Sequence, residues 1–178
     1  MIIRNATLND AKFIRKISID STIKRDSKEK TGFLEFNTLS EKEYSKRIKL
    51  TPFFYVAEDN NDIIGFLSAF PNKLLNLIKS NEPEVFEYMV KQKGSFIYGD
   101  QIAVKKEYYG KGIAKLLYTG LKKDARKESF SSILGIICHK PIKNENSIKF
   151  NKKIGFKLID ELKIKDLVFG VYKLTLST

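Results

Sequence analysis

Apolar residues change their period several times along the chain, and each change predicts an element. Ile2 to Ala6 reads as a short strand. Thr7 and Asp10 follow in the Thr-x-x-acid spacing of a helix start, and Ala11, Ile14, Ile17 and then Ile23 supply its inward face. The charged stretch from Asp26 to Thr38 predicts irregular chain. Ser40, with Glu43 three residues on, opens a second helix that ends by Pro52. Phe53 to Glu58 and Ile63 to Phe70 are apolar runs around a turn-rich connector and predict an antiparallel hairpin ended by Pro71. Asn72 to Gly94 is a long connection whose apolar residues (Leu74, Leu75, Leu77, Ile78, then Val85, Phe86, Tyr88, Met89) predict one or two helices. A connection of that length suggests a job such as shaping a substrate pocket. Phe96 to Val104 is β-branched and aromatic and predicts a central strand; Ile113, Leu116, Leu117, Leu121 and Ala125 then form one face of a helix. Phe130 to Cys138 reads as a strand and Asn144 to Lys153 as a short helix stopped by Gly155. Phe156 to Leu162 and Leu167 to Leu176 form a closing hairpin.

Early strands are joined by hairpins and later ones by helices. This order predicts an α/β (α+β) domain over residues 1–178, with a mixed, mostly antiparallel central sheet and helices on both faces. Between central strand and helix lies Tyr109-Gly110-Lys111-Gly112-Ile113-Ala114. A strand–glycine turn–helix junction is an anion site in waiting, because the first N–H groups of a helix have no internal partners and carry partial positive charge. Glycines there let the backbone approach a phosphate closely. The turn lacks the Gly-Lys-Ser/Thr ending of a Walker loop and the third glycine of a dinucleotide fold.

Composition narrows the classes. Hydrophobic residues make up 42%, enough for a core without staples, and the single Cys138 excludes an internal disulfide framework. No Cys/His cluster has metal-ligand spacing, and no run is long enough to span a bilayer, so a soluble, cytoplasmic protein without a membrane partner is expected. A net charge of +12 raises nucleic acid as a partner. Yet the charge is mostly Lys, with only five Arg, spread along the chain without a tail or a recognisable DNA-binding motif. That pattern argues against dedicated nucleic-acid binding and suits an anionic small molecule.

Two segments carry a family resemblance. Tyr109-Gly110-Lys111-Gly112-Ile113-Ala114 matches the Gln/Arg-x-x-Gly-x-Gly/Ala pyrophosphate signature of the GNAT acyl-CoA-dependent N-acyltransferases except at its first position. Asn144-Glu-Asn-Ser147-Ile-Lys-Phe150-Asn151-Lys-Lys-Ile-Gly155-Phe156 is similar to the family's C-terminal pattern, with Asn151 where many members carry a Tyr thought to protonate the leaving thiolate. The opening Ile3 to Asp10 is also similar to the family's usual start. The resemblance implies a single N-acetyltransferase domain that moves an acetyl group from acetyl-CoA onto a primary amine of a small-molecule or peptide acceptor. The alternative is an acyl-CoA-binding module with little turnover, which Asn151 motivates.

The resemblance also implies roles. The amides from Tyr109 to Ala114 would grip the diphosphate of coenzyme A, and the main chain of Ile102, Ala103 and Val104 would meet the pantetheine arm and thioester. On a helix, Asn144, Ser147 and Asn151 fall at i, i+3 and i+7 and make a polar stripe, with Phe150 further round; all four are candidate cofactor contacts. Asp100 is the first candidate for the base and Glu58 the second, the alternative for Asp100 being a solvated strand end or an ion pair with a Lys. Tyr98, Tyr108 and Tyr109 are the nearby phenols that could serve as the acid, Tyr98 foremost. Lys105, Lys106, Lys111 and Lys115 cluster around the turn, where they are either solvated or drawn to phosphates. Cys138 and His139 are neighbours on a strand and should point to opposite faces, which argues against a nucleophilic dyad. The final hairpin offers an edge on which a homodimer could form.

Overall fold

The computed structural model describes residues 1–24, 32–34, 38–78 and 83–176. In chain order these form β1 (Ile2–Asn5), α1 (Ala11–Asp20), β2 (Thr22–Ile23), β3 (Phe33–Leu34), α2 (Glu41–Leu50), β4 (Phe54–Asp59), β5 (Asp62–Pro71), α3 (Pro83–Val90), β6 (Phe96–Val104), α4 (Ile113–Lys127), β7 (Ser132–Lys140), α5 (Glu145–Lys153), β8 (Lys157–Ile164) and β9 (Leu167–Thr175). Short 3-10 turns at Leu8–Asp10, Asn72–Leu77 and Lys106–Tyr108 connect them. Seven strands make one sheet in the order β1-β4-β5-β6-β7-β9-β8, while β2 and β3 pair separately. Within the large sheet only β6 and β7 run parallel. The mixed, mostly antiparallel sheet expected from the sequence is therefore the one observed.

Strand alternation sorts the core onto two faces. Tyr55, Leu67, Ile97 and Ile133 pack with Ile113, Leu117, Tyr118 and Leu121 of α4 and with Ile148 of α5. Phe54, Val56 and Phe66 face the other way, onto Ala11, Ile14 and Ile17 of α1 and Tyr44 of α2. Further along that side, Phe96, Tyr98 and Leu134 meet Val85 and Met89 of α3. Helices thus cover both faces.

Local signals explain most boundaries. The Thr7 N–H donates to Asp10 Oδ2 at 2.7 Å, closing the expected turn into α1. Ser40 Oγ accepts from the Glu43 N–H at 3.1 Å and caps α2, but the Glu43 side chain lies toward Arg47 instead of completing a capping box. Four expectations need correction. Ile23 is not on α1: the helix stops at Asp20 and Ile23 is buried in β2. The 26–38 stretch holds β3, and its residues 26–31 and 35–37 lie outside the described residues. Pro71 does not end the hairpin; it is the last residue of β5, paired with Ile97, at a position where its missing N–H is tolerated. On α4, Leu116 is 40% exposed and Tyr118 takes its place on the inward face, because the buried seam runs through Ile113, Leu117, Leu121 and Ala125 and the two residues flank it on opposite sides, Tyr118 toward the core.

Candidate active site

The site begins where two parallel strands part. β6 and β7 pair over four residues, from Phe96 opposite Ser132 to Gly99 opposite Gly135, and no further. Beyond that point β6 stays with β5 as far as Val104 opposite Gly65, and β7 stays with β9 as far as Lys140 opposite Val168. The result is a fork. Its stem carries a bulge: Ser68 pairs with Gln101 and Ala69 with Gly99, so Asp100 is the extra residue. A cavity of about 830 Å³ fills the fork, lined by Gly99 to Val104 on one side, Gly135 to Cys138 on the other, and the glycine turn at its mouth.

In that turn Gly110 and Gly112 take φ of 77° and 81°, the left-handed region that favours glycine. A Cβ at either would meet no protein atom within 4 Å, so within the chain it is conformation, not crowding, that requires glycine here. Not every amide of the turn is available. Tyr109 N–H donates to Lys106 O at 3.1 Å and Lys111 N–H to Tyr108 O at 3.3 Å. The first bond of α4 runs from Leu116 N–H to Gly112 O at 3.1 Å, so the N–H groups of Ile113, Ala114 and Lys115 come before the helical ladder. They lie at the positive end of a 15-residue helix, a geometry that suits an anion.

Asp100 stands in the cavity wall within a charged cluster. Its Oδ2 accepts from Arg47 Nη1 at 2.6 Å and from Ser68 Oγ at 3.0 Å, and Oδ1 has no partner among the described residues. Arg47 comes from α2, is only 3% exposed, and also lies 3.6 Å from Glu43 Oε1 one helical turn earlier. Next to it, Tyr44 O–H donates to Gln101 Oε1 at 2.9 Å. The ion pair anticipated for Asp100 exists, with an Arg in place of a Lys.

The other candidates separate. Tyr98 is 3% exposed, lines the cavity, and packs edge-on against Phe86 at 5.6 Å. Ile102, Ala103, Val104, Tyr108, Tyr109, Gly110, Gly112, Ile113 and Ala114 line the cavity too. Lys111 is outside the lining, with its Nζ 4.5 Å over the Tyr108 ring. Glu58 is also outside it: its carboxylate accepts from Arg4 Nε at 2.6 Å, on the flank where β4 pairs with β1. Among the four turn lysines only Lys115 reaches the cavity, joined by Lys122 and Lys153, while Lys105 pairs with Asp62.

On α5, Asn144, Ser147, Phe150 and Asn151 all line the cavity. Asn144 Oδ1 caps the helix from the Ser147 N–H at 3.1 Å, and Asn151, 7% exposed, donates its amide back to Ser147 O at 2.9 Å. His139 is engaged by Glu161 at 2.7 Å and by Tyr172 at 3.1 Å, and Cys138 donates to Lys140 O, so no Cys–His dyad forms. Among the described residues no three His, Cys, Asp or Glu side chains come together to hold a metal, and no helix is long and apolar enough to cross a membrane. Sequence reasoning missed Arg47 and Tyr118. Arg47 carried a faint signal, an acid–base pair at i, i+4 on a predicted helix, whereas Tyr118 is indistinguishable by pattern from any aromatic on an apolar face.

The model of the acetyltransferase (GNAT) family matches residues 19–156. No curated protein matches the chain. Among solved structures, an N-acetyltransferase from Staphylococcus aureus Mu50 is similar at 23% identity and a TM-score of 0.66, covering 99% of this chain and 98% of that one. Chaetomium thermophilum Naa20, in complex with a bisubstrate analogue, gives 16% identity and 0.71 over 99% and 87%. The putative acetyltransferase yncA from Salmonella typhimurium, solved with acetyl-CoA, gives 18% identity and 0.65 over 100% and 95%.

Proposed function

Because the chain belongs to the acetyltransferase (GNAT) family, whose members use acetyl-CoA, we propose that its β6–β7 fork is where an acetyl group passes directly to a primary amine of a small-molecule or peptide acceptor. One observation carries this reading. A single cavity joins the free amides at the start of α4 to the unpaired inner edge of β6 and to Asp100 in the bulge. A phosphorylated group with a long amide-bearing arm fits that arrangement: phosphates at the helix start, main-chain partners along Val104 to Ile102, and the reactive end at the closed stem. When bound, the cofactor supplies an acetyl thioester.

The chain's own residues do the rest. Amides of Ile113, Ala114 and Lys115 hold negative charge, with Lys115, Lys122 and Lys153 adding attraction from the cavity wall. Main-chain N–H groups of β6 beyond Gly99, where β7 has left it, polarise the carbonyl. Asp100 Oδ1 receives the amine's proton, directly or through water, while Arg47 and Ser68 fix the carboxylate through Oδ2. The acceptor side is walled by Phe33, Leu39, Val85, Phe86, Tyr98 and Phe169, an apolar surface around one carboxylate. This suits an ammonium group carried on an apolar body.

A screen of thiol release from acetyl-CoA across polyamines, amino acids, aminoglycosides and peptides tests the proposal. Amine-dependent release supports it. Acyl-CoA binding without release from any amine supports instead the alternative, an acyl-CoA-binding module, which the engaged Asn151 amide favours.

A further inference from the structure

Tyr118 projects from α4 into the core beneath the fork. Its ring lies between Phe150 and Phe156, with centroids 5.8 and 5.6 Å away, and the residue is 7% exposed. A Cβ built on Gly99 would come within 3.6 Å of its hydroxyl oxygen, which places the hydroxyl beside the last paired residues of the stem, Gly99 and Gly135. Tyr118 lines the cavity, and its hydroxyl has no hydrogen-bond partner among the described residues. The ring is packed in the core while the hydroxyl opens onto the cavity, so the oxygen is not sealed away and is open to a partner that enters. An O–H at a cavity wall with no partner in the protein is a donor available to what enters.

The position says what that is, given the acyl-CoA reading above, on which this step rests. An arm held at the glycine turn and laid along β6 back from Val104 would bring its thioester end to Gly99 and Asp100. Asn151, which stands where the family pattern carries Tyr, has committed its amide to Ser147 O. We propose that the Tyr118 hydroxyl donates a hydrogen bond to the departing thiolate sulfur. In the step it assists, a bond forms between the amine nitrogen and the acetyl carbon, and the carbon–sulfur bond breaks with its electron pair going to sulfur. The nitrogen's proton leaves by Asp100, and the thiolate takes a proton from water on release. Nothing is oxidised or reduced. Burial pushes the Tyr118 phenol above its ordinary value, so it stays protonated and acts as a donor without ionising.

Tyr118→Phe tests this, since it keeps the ring and removes only the oxygen. The melting temperature should stay at or above that of the parent, because the lost atom has no partner in the protein. The turnover number should fall about 10- to 100-fold, the scale of a hydrogen bond to a charged group, equally at every pH and with KM for acetyl-CoA within about two-fold. Independently of turnover, the thiol of bound CoA is titrated by thiolate absorbance, with the complex of CoA lacking its sulfur as the blank. Its pKa should rise by about one unit in the variant. An unmoved thiol with an unmoved turnover number overturns the proposal, and so does a melting temperature several degrees lower, which would reveal a structural partner. If calorimetry detects no CoA binding by the parent chain, the reading of the site fails and this one with it.

Discussion

Arg47 is the residue whose removal should hurt most. It sits 3% exposed between two carboxylates, Asp100 at 2.6 Å and Glu43 at 3.6 Å, whose side chains are 10% and 21% exposed. Replacing it with Met keeps much of the side-chain volume but leaves two acids facing each other with no cation. Breaking a buried pair from one side costs about 3–5 kcal/mol. For a chain of this size that lowers the melting temperature by roughly 10 °C, at about 2–4 °C per kcal/mol. Asp100→Asn is the asymmetric control. The amide oxygen still accepts from Arg47 and Ser68, and Arg47 keeps Glu43, so the cost should be only about 1–2 kcal/mol. Adding Asp100→Asn to Arg47→Met removes one of the stranded charges, so the double variant should be more stable than Arg47→Met by about 1–3 kcal/mol. Urea unfolding with an unchanged m-value gives all three numbers. Thiol release adds a functional arm, in which Asp100→Asn should lose about 10²-fold in turnover number while staying folded. If Arg47→Met proves no worse than Asp100→Asn, or if the double variant shows the plain sum of the two losses, the charged cluster does not hold the site as argued.

Three shorter tests address other parts of the fold. Gly112→Asn and Gly112→Asp differ by one charge at a left-handed position with open space around it; both should melt within a few degrees of the parent, and Asp should weaken CoA binding by at least about 30-fold more than Asn in calorimetry. At Asp10, burial pushes the carboxyl up, but hydrogen bonds from Arg4, the Thr7 N–H and the Thr7 hydroxyl outweigh it and hold the carboxyl below its ordinary value near 3.8. Its stabilisation is therefore complete above that value and lost as pH falls through it toward the lowered one, so Asp10→Asn should flatten stability against pH in that acidic window, read by urea midpoints. Gly170→Ala places a Cβ on the His139 imidazole and 2.8 Å from the Tyr172 ring, and should cost about 1–3 kcal/mol, most of it recovered by His139→Ala.

What was legible in the sequence follows how local each feature is. The glycine turn and its helix, the short helix ending before Gly155 and the Ser40 cap depend on residues within a few positions of one another, so period and spacing reveal them. The same holds for the sheet class, since hairpin and crossover connections decide which strands run parallel. Boundaries slipped where tertiary packing overrides pattern: Leu116 is apolar yet turned outward, and Ile23 continues a helical period into a strand.

The chemistry was harder to see because its partners meet across the fold. Asp100 reads as a lone acid in an apolar strand, yet its carboxylate is held by Arg47, 53 residues earlier on another element. Tyr118 reads as core, and it is core on every side except its oxygen, whose surroundings depend on two strands parting at Gly99 and Gly135. Glu58, at the end of a strand, was the second candidate after Asp100, but β1 delivers Arg4 to it and fixes it on the other flank of the sheet. The proposed cofactor end of the site is thus written in a contiguous motif, because a helix start can hold phosphate with its own backbone. The proposed proton-handling end is assembled from side chains that the sheet brings together, so it becomes readable only after the strands are placed, and the proposed acceptor wall follows the same rule.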